Sequence, residues 1–309
     1  MRESIVYLDG AFLPERETRV PVLTHALHYG TGIFEGIRAY RDARSGEVRL
    51  FRAKDHFDRM RHNVTFLNIN LPLTSGELVQ VAAELIRRNG LTTDVYVRPL
   101  AYKSAQKIGV GLPPEDAFAM IALPMGPYVD TEKGLHCGVS SWRRIQDNAI
   151  PCRAKICGAY VNSSLAAQEA RDRGFDEAIF LNETGHVAEG SAMNIFLVRD
   201  GHLVTPDVSQ GILEGITRDT VMTLGAEGGI ASTEQRPVDR TELYVADEVF
   251  LCGTAAQIAP VTRIDGRVIG AGQPGPITLR LQSAYDAIVR GAAPAKPGWL
   301  EPVGNPQWI

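Results

Sequence analysis

Residues 124–134 hold two prolines and two glycines, and this run of chain-breakers cuts the sequence into two blocks that each carry helix and strand patterns. Such a segment reads as an interdomain connection, although a long loop inside one domain would look the same. In the first block, Asp9-Gly10 is the kind of dipeptide that closes a tight hairpin, here between strands at 5–8 and 11–13. Residues 54–67 set Phe57, Met60, Val64 and Leu67 on one helical face, and 75–89 do the same with Leu78, Ala82, Leu85 and Ile86. Strand candidates are 48–51, 95–100 and 117–123.

The second block opens with a strand at 135–140, followed by a helix at 162–173 and an apolar strand at 177–181. A turn at 182–185 leads into strands at 186–189 and 194–198, and Asp200-Gly201 signals a second hairpin that continues into 202–205. A helix at 217–224, a strand at 248–252 and a last helix at 277–290 complete it, while the tail after Gly291 has no period and is expected to be partly mobile. The expected architecture is a mixed α/β chain of the α+β type. It comprises a smaller N-terminal α/β domain over 1–124, a connecting loop over 125–134, and a larger hairpin-rich C-terminal domain over 135–309.

A 309-residue chain that is 44% hydrophobic and carries a net charge of -4 offers no basic surface for nucleic acid or an acidic membrane. The four cysteines, Cys137, Cys152, Cys157 and Cys252, fit neither a disulfide framework nor a zinc or redox spacing, so buried free thiols are expected. The amino terminus reads as a strand-like start rather than a signal peptide, and no apolar run is long enough to span a bilayer. The expected location is cytoplasmic.

Only six lysines occur: Lys54, Lys103, Lys107, Lys133, Lys155 and Lys296. Five stand in polar or turn-rich surroundings that suit a solvated ammonium, whereas Lys155 lies among small and apolar residues in Arg153-Ala154-Lys155-Ile156-Cys157-Gly158-Ala159-Tyr160. Desolvation there would favour the neutral, nucleophilic amine, although a surface lysine at a loop end fits the same local context. Gly215-Ile216-Thr217 opens a predicted helix, where backbone N–H groups and the helix dipole suit an anion, and a plain N-cap reads the same way. Gly253-Thr254-Ala255 follows an apolar strand and could serve a second anionic oxygen or be a tight turn.

Arg59 on the predicted helix could fork onto a phosphate, and Glu189, before Gly190-Ser191, could hold a ring nitrogen protonated. Each also fits an ordinary surface position. His25 and His28 have no acidic or cysteine neighbour, so structural histidines are expected and no metal site. The glycine-rich stretch from Gly30 to Gly36 lacks the following Lys-Ser/Thr of a P-loop.

Taken in order, these segments resemble the fold-type IV pyridoxal-phosphate enzymes, and within them the branched-chain amino-acid aminotransferases, over nearly the whole chain. The stretch His25-Ala26-Leu27-His28-Tyr29-Gly30-Thr31-Gly32-Ile33-Phe34-Glu35-Gly36-Ile37-Arg38 is the most specific part. Tyr96-Val97-Arg98-Pro99, Ala154-Lys155, Glu189-Gly190-Ser191, Gly215-Ile216-Thr217-Arg218 and Gly253-Thr254-Ala255-Ala256 follow in the family's order.

The resemblance implies a pyridoxal 5′-phosphate cofactor held by Lys155 as a Schiff base, with Lys155, in the larger C-terminal domain, also acting as acid and base. It implies Glu189 at the pyridine nitrogen, Tyr160 near the 3-oxygen, and Arg59, Ile216, Thr217 and Thr254 around the phosphate. It further places Tyr96, Thr254 and Ala255 at the substrate α-carboxylate and Arg98 at the side-chain carboxylate of glutamate. Phe34 and Tyr128, with Tyr29 and Val110 from a partner subunit, would wall the apolar side-chain pocket, which implies a homodimer or higher homo-oligomer.

The implied reaction is ping-pong transfer between leucine, isoleucine or valine and 2-oxoglutarate. Two residues depart from the family pattern: Met193 stands where glutamate is frequent, and Met125 where an aromatic residue often lines the pocket. Both widen or neutralise the surroundings, which opens acceptance of aromatic substrates or of (R)-amines. The nearest alternative on the same fold is a D-amino-acid or (R)-amine transaminase. A lyase of the aminodeoxychorismate type would share the lysine, and a non-catalytic cofactor carrier would share only the binding groups.

Overall fold

Asp9 and Gly10 both take positive φ, 44° and 93°, and turn Ile5–Leu8 back onto Ala11–Pro14 in the expected hairpin. The computed structural model describes residues 4–126 and 133–304. Its internal contacts form two compact units, one of Met1–Gly126, Ala154–Gly158 and Ala287–Ile309, the other of Pro127–Arg153 and Ala159–Asp286. The sequence division assigned 135–309 to one block; in the structure the short segment 154–158 and the last residues pack with the first unit instead.

The first unit is built on an antiparallel sheet in the order Leu300–Pro302, Val48–Phe51, Ile37–Arg41, Val95–Lys103, Asp116–Pro124, Ile5–Leu8, Ala11–Pro14, with Gly32–Phe34 also paired to Val95–Lys103. A short helix α1 (His25–Tyr29) precedes two longer ones, α2 (Ala53–Asn63) and α3 (Ser75–Arg88). The α2 periodicity buries Phe57 and Met60 completely, and a 3-10 turn at Val64–Leu67 extends it as far as the spacing predicted. Helix α3 starts at a capping box, Thr74 with Glu77, and buries Leu78, Ala82, Leu85 and Ile86. Its end is tied to the first strand by Asn89, whose side chain accepts from Ile5 N–H (2.8 Å) and donates to Ile5 carbonyl (2.9 Å).

One expectation is narrowed and one corrected here. As far as residue 304 the tail is anchored, since Trp299 buries its ring against Phe51 and Leu300–Pro302 adds a strand beside Val48–Phe51, just after Arg290 forks onto Asp94 at 2.6 and 2.7 Å; the rest of the tail lies outside the described residues. Lys103 is not solvated but 1% exposed, with Nζ donating to the Asn68 carbonyl (2.6 Å) and paired with Asp116 (2.8 Å). Its strand turns that side chain inward, and the Asp116 carboxylate on the neighbouring strand compensates the buried charge.

The second unit has a mixed sheet in the order Val187–Gly190, Glu177–Leu181, Leu135–Arg143, Gln257–Ile264, Glu248–Gly253, Asn194–Arg199, His202–Thr205, Thr233–Gln235. Asp200-Gly201 forms the second expected hairpin, with φ 50° and 79°. Helices α4 (Tyr160–Asp172) and α5 (Ile216–Glu227) belong to this unit. Helix α6 (Pro276–Val289) starts on the Glu248 carboxylate, which accepts from Ile277 and Thr278 N–H at 2.9 and 2.8 Å. Among the described residues no helix is long and apolar enough to cross a membrane, and no group of three metal-ligating side chains occurs.

Candidate active site

Lys155 is positioned by backbone contacts on either side of it. Gly30 ends α1 in the left-handed conformation, φ 66°, and an added Cβ there would stand 2.6 Å from the Gly158 Cα. This close approach lets Gly158 N–H donate to the Gly30 carbonyl (3.1 Å), while Ile156 bridges to Ile33 and Phe34 N–H donates to the Lys155 carbonyl (3.1 Å). The result is a half-buried Lys155 whose Nζ lies 5.1 Å from the centre of the Phe34 ring. Lys155 is thus partly shielded from solvent and seated beside an aromatic ring.

The Val95–Lys103 strand supplies the next pair by its period of two. Val95 and Val97 are fully buried, which turns Tyr96 and Arg98 together to the opposite face. Arg98 donates to the Tyr96 hydroxyl through Nε (3.1 Å) and Nη2 (2.6 Å), and its guanidinium also stacks 4.5 Å from the Phe34 ring centre. Gly36 lies beside this pair, and a Cβ there would overlap the Tyr96 hydroxyl. Lys155, Phe34, Tyr96 and Arg98 are therefore neighbours within one unit.

Between Gly32–Phe34 and Ile37–Arg41 the chain breaks its pairing at Glu35-Gly36, and the Glu35 side chain turns into the protein with no exposure. Arg59 on α2 forks onto it, Nε at 2.7 Å and Nη2 at 2.8 Å, and His56 Nδ1 lies 2.9 Å away. Burial by itself would push the Glu35 carboxyl up, but the Arg59 guanidinium and the His56 hydrogen bond outweigh it and hold the group well below the usual carboxylate range. Burial pushes His56 down, so its ring is neutral and donates Nδ1–H to the carboxylate.

In the second unit Glu189 is 5% exposed on a strand whose four residues are all buried. Its Oε1 pairs with Arg144 (2.8 Å), and its Oε2 accepts from the Asn194 amide (3.0 Å) and Leu213 N–H (3.1 Å). Helix α5 begins at Ile216 after Gly215, which brings no capping side chain to the first-turn N–H groups, and Thr217 is buried in that turn. Thr254 and Ala255 lie in the turn that joins Glu248–Gly253 to Gln257–Ile264, and Tyr160 opens α4.

Tyr29 accepts from Gly109 N–H (3.0 Å), and Val110 is 86% exposed. Tyr128 lies outside the described residues. Met193 sits in the core of the second unit with 5% exposure, packed near Gly253, and Met125 donates its N–H to the Asp94 carbonyl at 3.0 Å. His25 is fully buried between Thr31 and the Gly109 carbonyl, as a structural histidine. The sequence reading missed Glu35, His56, Arg144 and Asn194. Glu35 stood inside the quoted glycine-rich stretch, but no local signal marks Arg144, whose partner lies 45 positions along the chain.

Residues 32–264 match the family model described as amino-transferase class IV. A probable branched-chain-amino-acid aminotransferase of Aquifex aeolicus is 45% identical, with 96% of each chain covered. The branched-chain aminotransferase of Thermoproteus uzoniensis, solved with norvaline, is 43% identical with a TM-score of 0.93, covering 98% of this chain and 100% of that one. The branched-chain amino acid aminotransferase of Thermobaculum terrenum, solved in its PLP-bound holo form, is 38% identical with a TM-score of 0.93, covering 98% of this chain and 99% of that one. The chain belongs to the class IV aminotransferases and, within them, to the branched-chain-amino-acid aminotransferase family.

Proposed function

We propose that this protein uses pyridoxal 5′-phosphate to transfer the amino group of leucine, isoleucine or valine to 2-oxoglutarate, in a ping-pong reaction. The observation that carries this reading is Lys155 set against Phe34, beside a Tyr96–Arg98 pair on the same strand face. The donor set fits the cofactor. Glu189 is a buried carboxylate bracketed by three donors, which suits a protonated ring nitrogen, and the uncapped start of α5 suits a phosphate.

Pyridoxal 5′-phosphate, when bound, supplies an aldehyde for the amino group and a ring that takes up the electron pair of the α-carbon. Lys155 would hold it through Nζ and would serve as the acid and base that moves the proton of the substrate α-carbon. Glu189 would face the ring nitrogen and favour its protonated form. Ile216, Thr217, Thr254 and Arg59 would hold the phosphate, and Tyr160 would serve the 3-oxygen.

Tyr96, with Thr254 and Ala255, would orient the α-carboxylate, while Phe34, with Tyr29 and Val110 of a second copy, would wall the side-chain space. Arg98 serves the second carboxylate of glutamate. It is already bonded to the Tyr96 hydroxyl and stacked on Phe34, so an aliphatic substrate leaves its guanidinium engaged.

Initial rates with L-leucine, L-glutamate, D-alanine and (R)-1-phenylethylamine test this reading. Turnover is expected with the two L-amino acids, and Arg98→Ala should lower kcat/KM for glutamate by about 100-fold while changing leucine by about threefold or less. Equal losses for both would remove the separate role of Arg98. A preference for D-alanine or the (R)-amine would favour the alternative transaminases.

An exposed apolar patch supports a homodimer. Val20, Val22, Leu23, Leu27, Ile108 and Val110 are each between 50% and 86% exposed. The Thr24–Gln106 bridge and the His25 contact to the Gly109 carbonyl hold the two segments together. Light scattering at micromolar concentration should give twice the mass of the chain, and a monomer would end this reading. The four free cysteines fit a reducing compartment, and we place the enzyme in the cytoplasm.

A further inference from the structure

We infer that Arg144 is a positioning residue that sets how strongly the cofactor's ring holds its proton, acting through Glu189; this rests on the reading that Glu189 meets the pyridine nitrogen. Arg144 is fixed on three sides. Its Nη2 pairs with Glu189 Oε1 at 2.8 Å, its Nε donates to the Gly211 carbonyl at 3.2 Å, and its guanidinium lies 5.8 Å from the centre of the buried Phe180 ring. Both side chains of the pair are 10% exposed or less.

The geometry separates the two oxygens of Glu189. Oε2 takes neutral donors, the Asn194 amide and Leu213 N–H, whereas Oε1 takes the full positive charge of Arg144. Asn194 also donates to the Leu213 carbonyl at 2.9 Å, so the carboxylate cannot swing away from the guanidinium without breaking that bracket. Cys152 and Cys252 face the same carboxylate, but burial pushes their thiols up to about 11 and about 12, and neither is charged at neutral pH. Arg144 thus brings a positive charge into direct contact with Glu189 Oε1.

A carboxylate alone would bind a neighbouring ring proton tightly. With Arg144 beside it, part of that field is cancelled, and the effect is strong because the pair is shielded from water. A neutral residue at 144 therefore removes this opposition to Glu189 and tightens the hold on the ring proton. A neutral residue at 189 does the opposite. The two substitutions move the same property in opposite directions, which a loss of packing would not do.

The test is a pH titration of the holoenzyme loaded with pyridine-nitrogen-labelled pyridoxal 5′-phosphate, read by the NMR signal of that nitrogen. In Arg144→Met its midpoint is expected to rise by about one pH unit. In Glu189→Gln it is expected to fall, and in Arg144→Lys, which keeps the charge, to stay near the parent value. Arg144→Gln, which keeps an amide donor for Gly211, makes the same comparison if the methionine variant does not fold. A midpoint that falls or stays in both neutral Arg144 variants while Glu189→Gln shifts overturns the inference and spares the role of Glu189. If Glu189→Gln leaves the titration and the nitrogen signal unchanged, the reading of Glu189 itself fails, and this inference with it.

Discussion

Lys155→Ala is expected to lower amino transfer by roughly 10⁴-fold or more, because it removes both the covalent anchor and the group that moves the proton. The fold around it should persist. The contacts that seat the segment are made by backbone, with Phe34 N–H on the Lys155 carbonyl, Ile156 bridged to Ile33, and Gly158 against Gly30, and alanine keeps all of them. Pyridoxal 5′-phosphate should still bind, since Glu189 and the start of α5 are untouched.

Borohydride reduction followed by mass spectrometry separates the cases. The parent should carry a cofactor-sized mass addition on the peptide containing Lys155, and the variant should carry none. Turnover within about tenfold of the parent would show that another group does this work. Lys103, the other lysine in an apolar setting, is an unsuitable substitute. It is 1% exposed and fully engaged with Asn68 and Asp116.

Glu35→Gln should destabilise the protein by about 3–5 kcal/mol, the scale on which a buried ion pair is broken from one side. Glutamine keeps the shape but offers one acceptor oxygen where Arg59 and His56 now bring three donor contacts of 2.7, 2.8 and 2.9 Å. An amide N–H would face a guanidinium or imidazole N–H, and in the cofactor-free protein the Arg59 charge would lose its buried carboxylate counter-ion. Urea unfolding measures the loss, and Glu35→Gln combined with Arg59→Met should recover much of it because the orphaned charge is then gone. A loss below about 1 kcal/mol in the single variant would mean that water or another group already neutralises Arg59.

The same carboxylate fixes a pH dependence. Glu35 is held below its unfolded value of about 4.3, so its contribution is complete above that pH. As the pH falls further the unfolded chain takes up the proton first, and stability drains away toward the lower folded value. The unfolding free energy of the parent should therefore fall more steeply between about pH 4.5 and 3 than that of Glu35→Gln. Equal slopes would show that Glu35 is not strongly held in the folded state.

Features set by neighbouring residues were legible in the sequence. Asp9-Gly10 and Asp200-Gly201 accept positive φ at low cost, so their hairpins follow from the dipeptides alone. The faces of α2 and α3 follow from apolar residues three and four apart, and alternation along Val95–Lys103 sets Tyr96 and Arg98 on one face. The strands Ile37–Arg41 and Gln257–Ile264 escaped notice because most of their residues are buried, which erases the alternation that reveals a strand. Leu300–Pro302 is too short to show any period, and its pairing with Val48–Phe51 comes from the far end of the chain.

The sequence by itself determined the ordered set of family segments, the lysine among small residues, and the local turns and helix faces, since each depends on residues within one or two turns of chain. Only the tertiary structure decided what those groups lean on. Glu35 meets Arg59 and Glu189 meets Arg144 across separations of 24 and 45 residues, and burial gives both carboxylates their character. A charge in low dielectric is governed by its few neighbours in space, and no spacing along the chain encodes them.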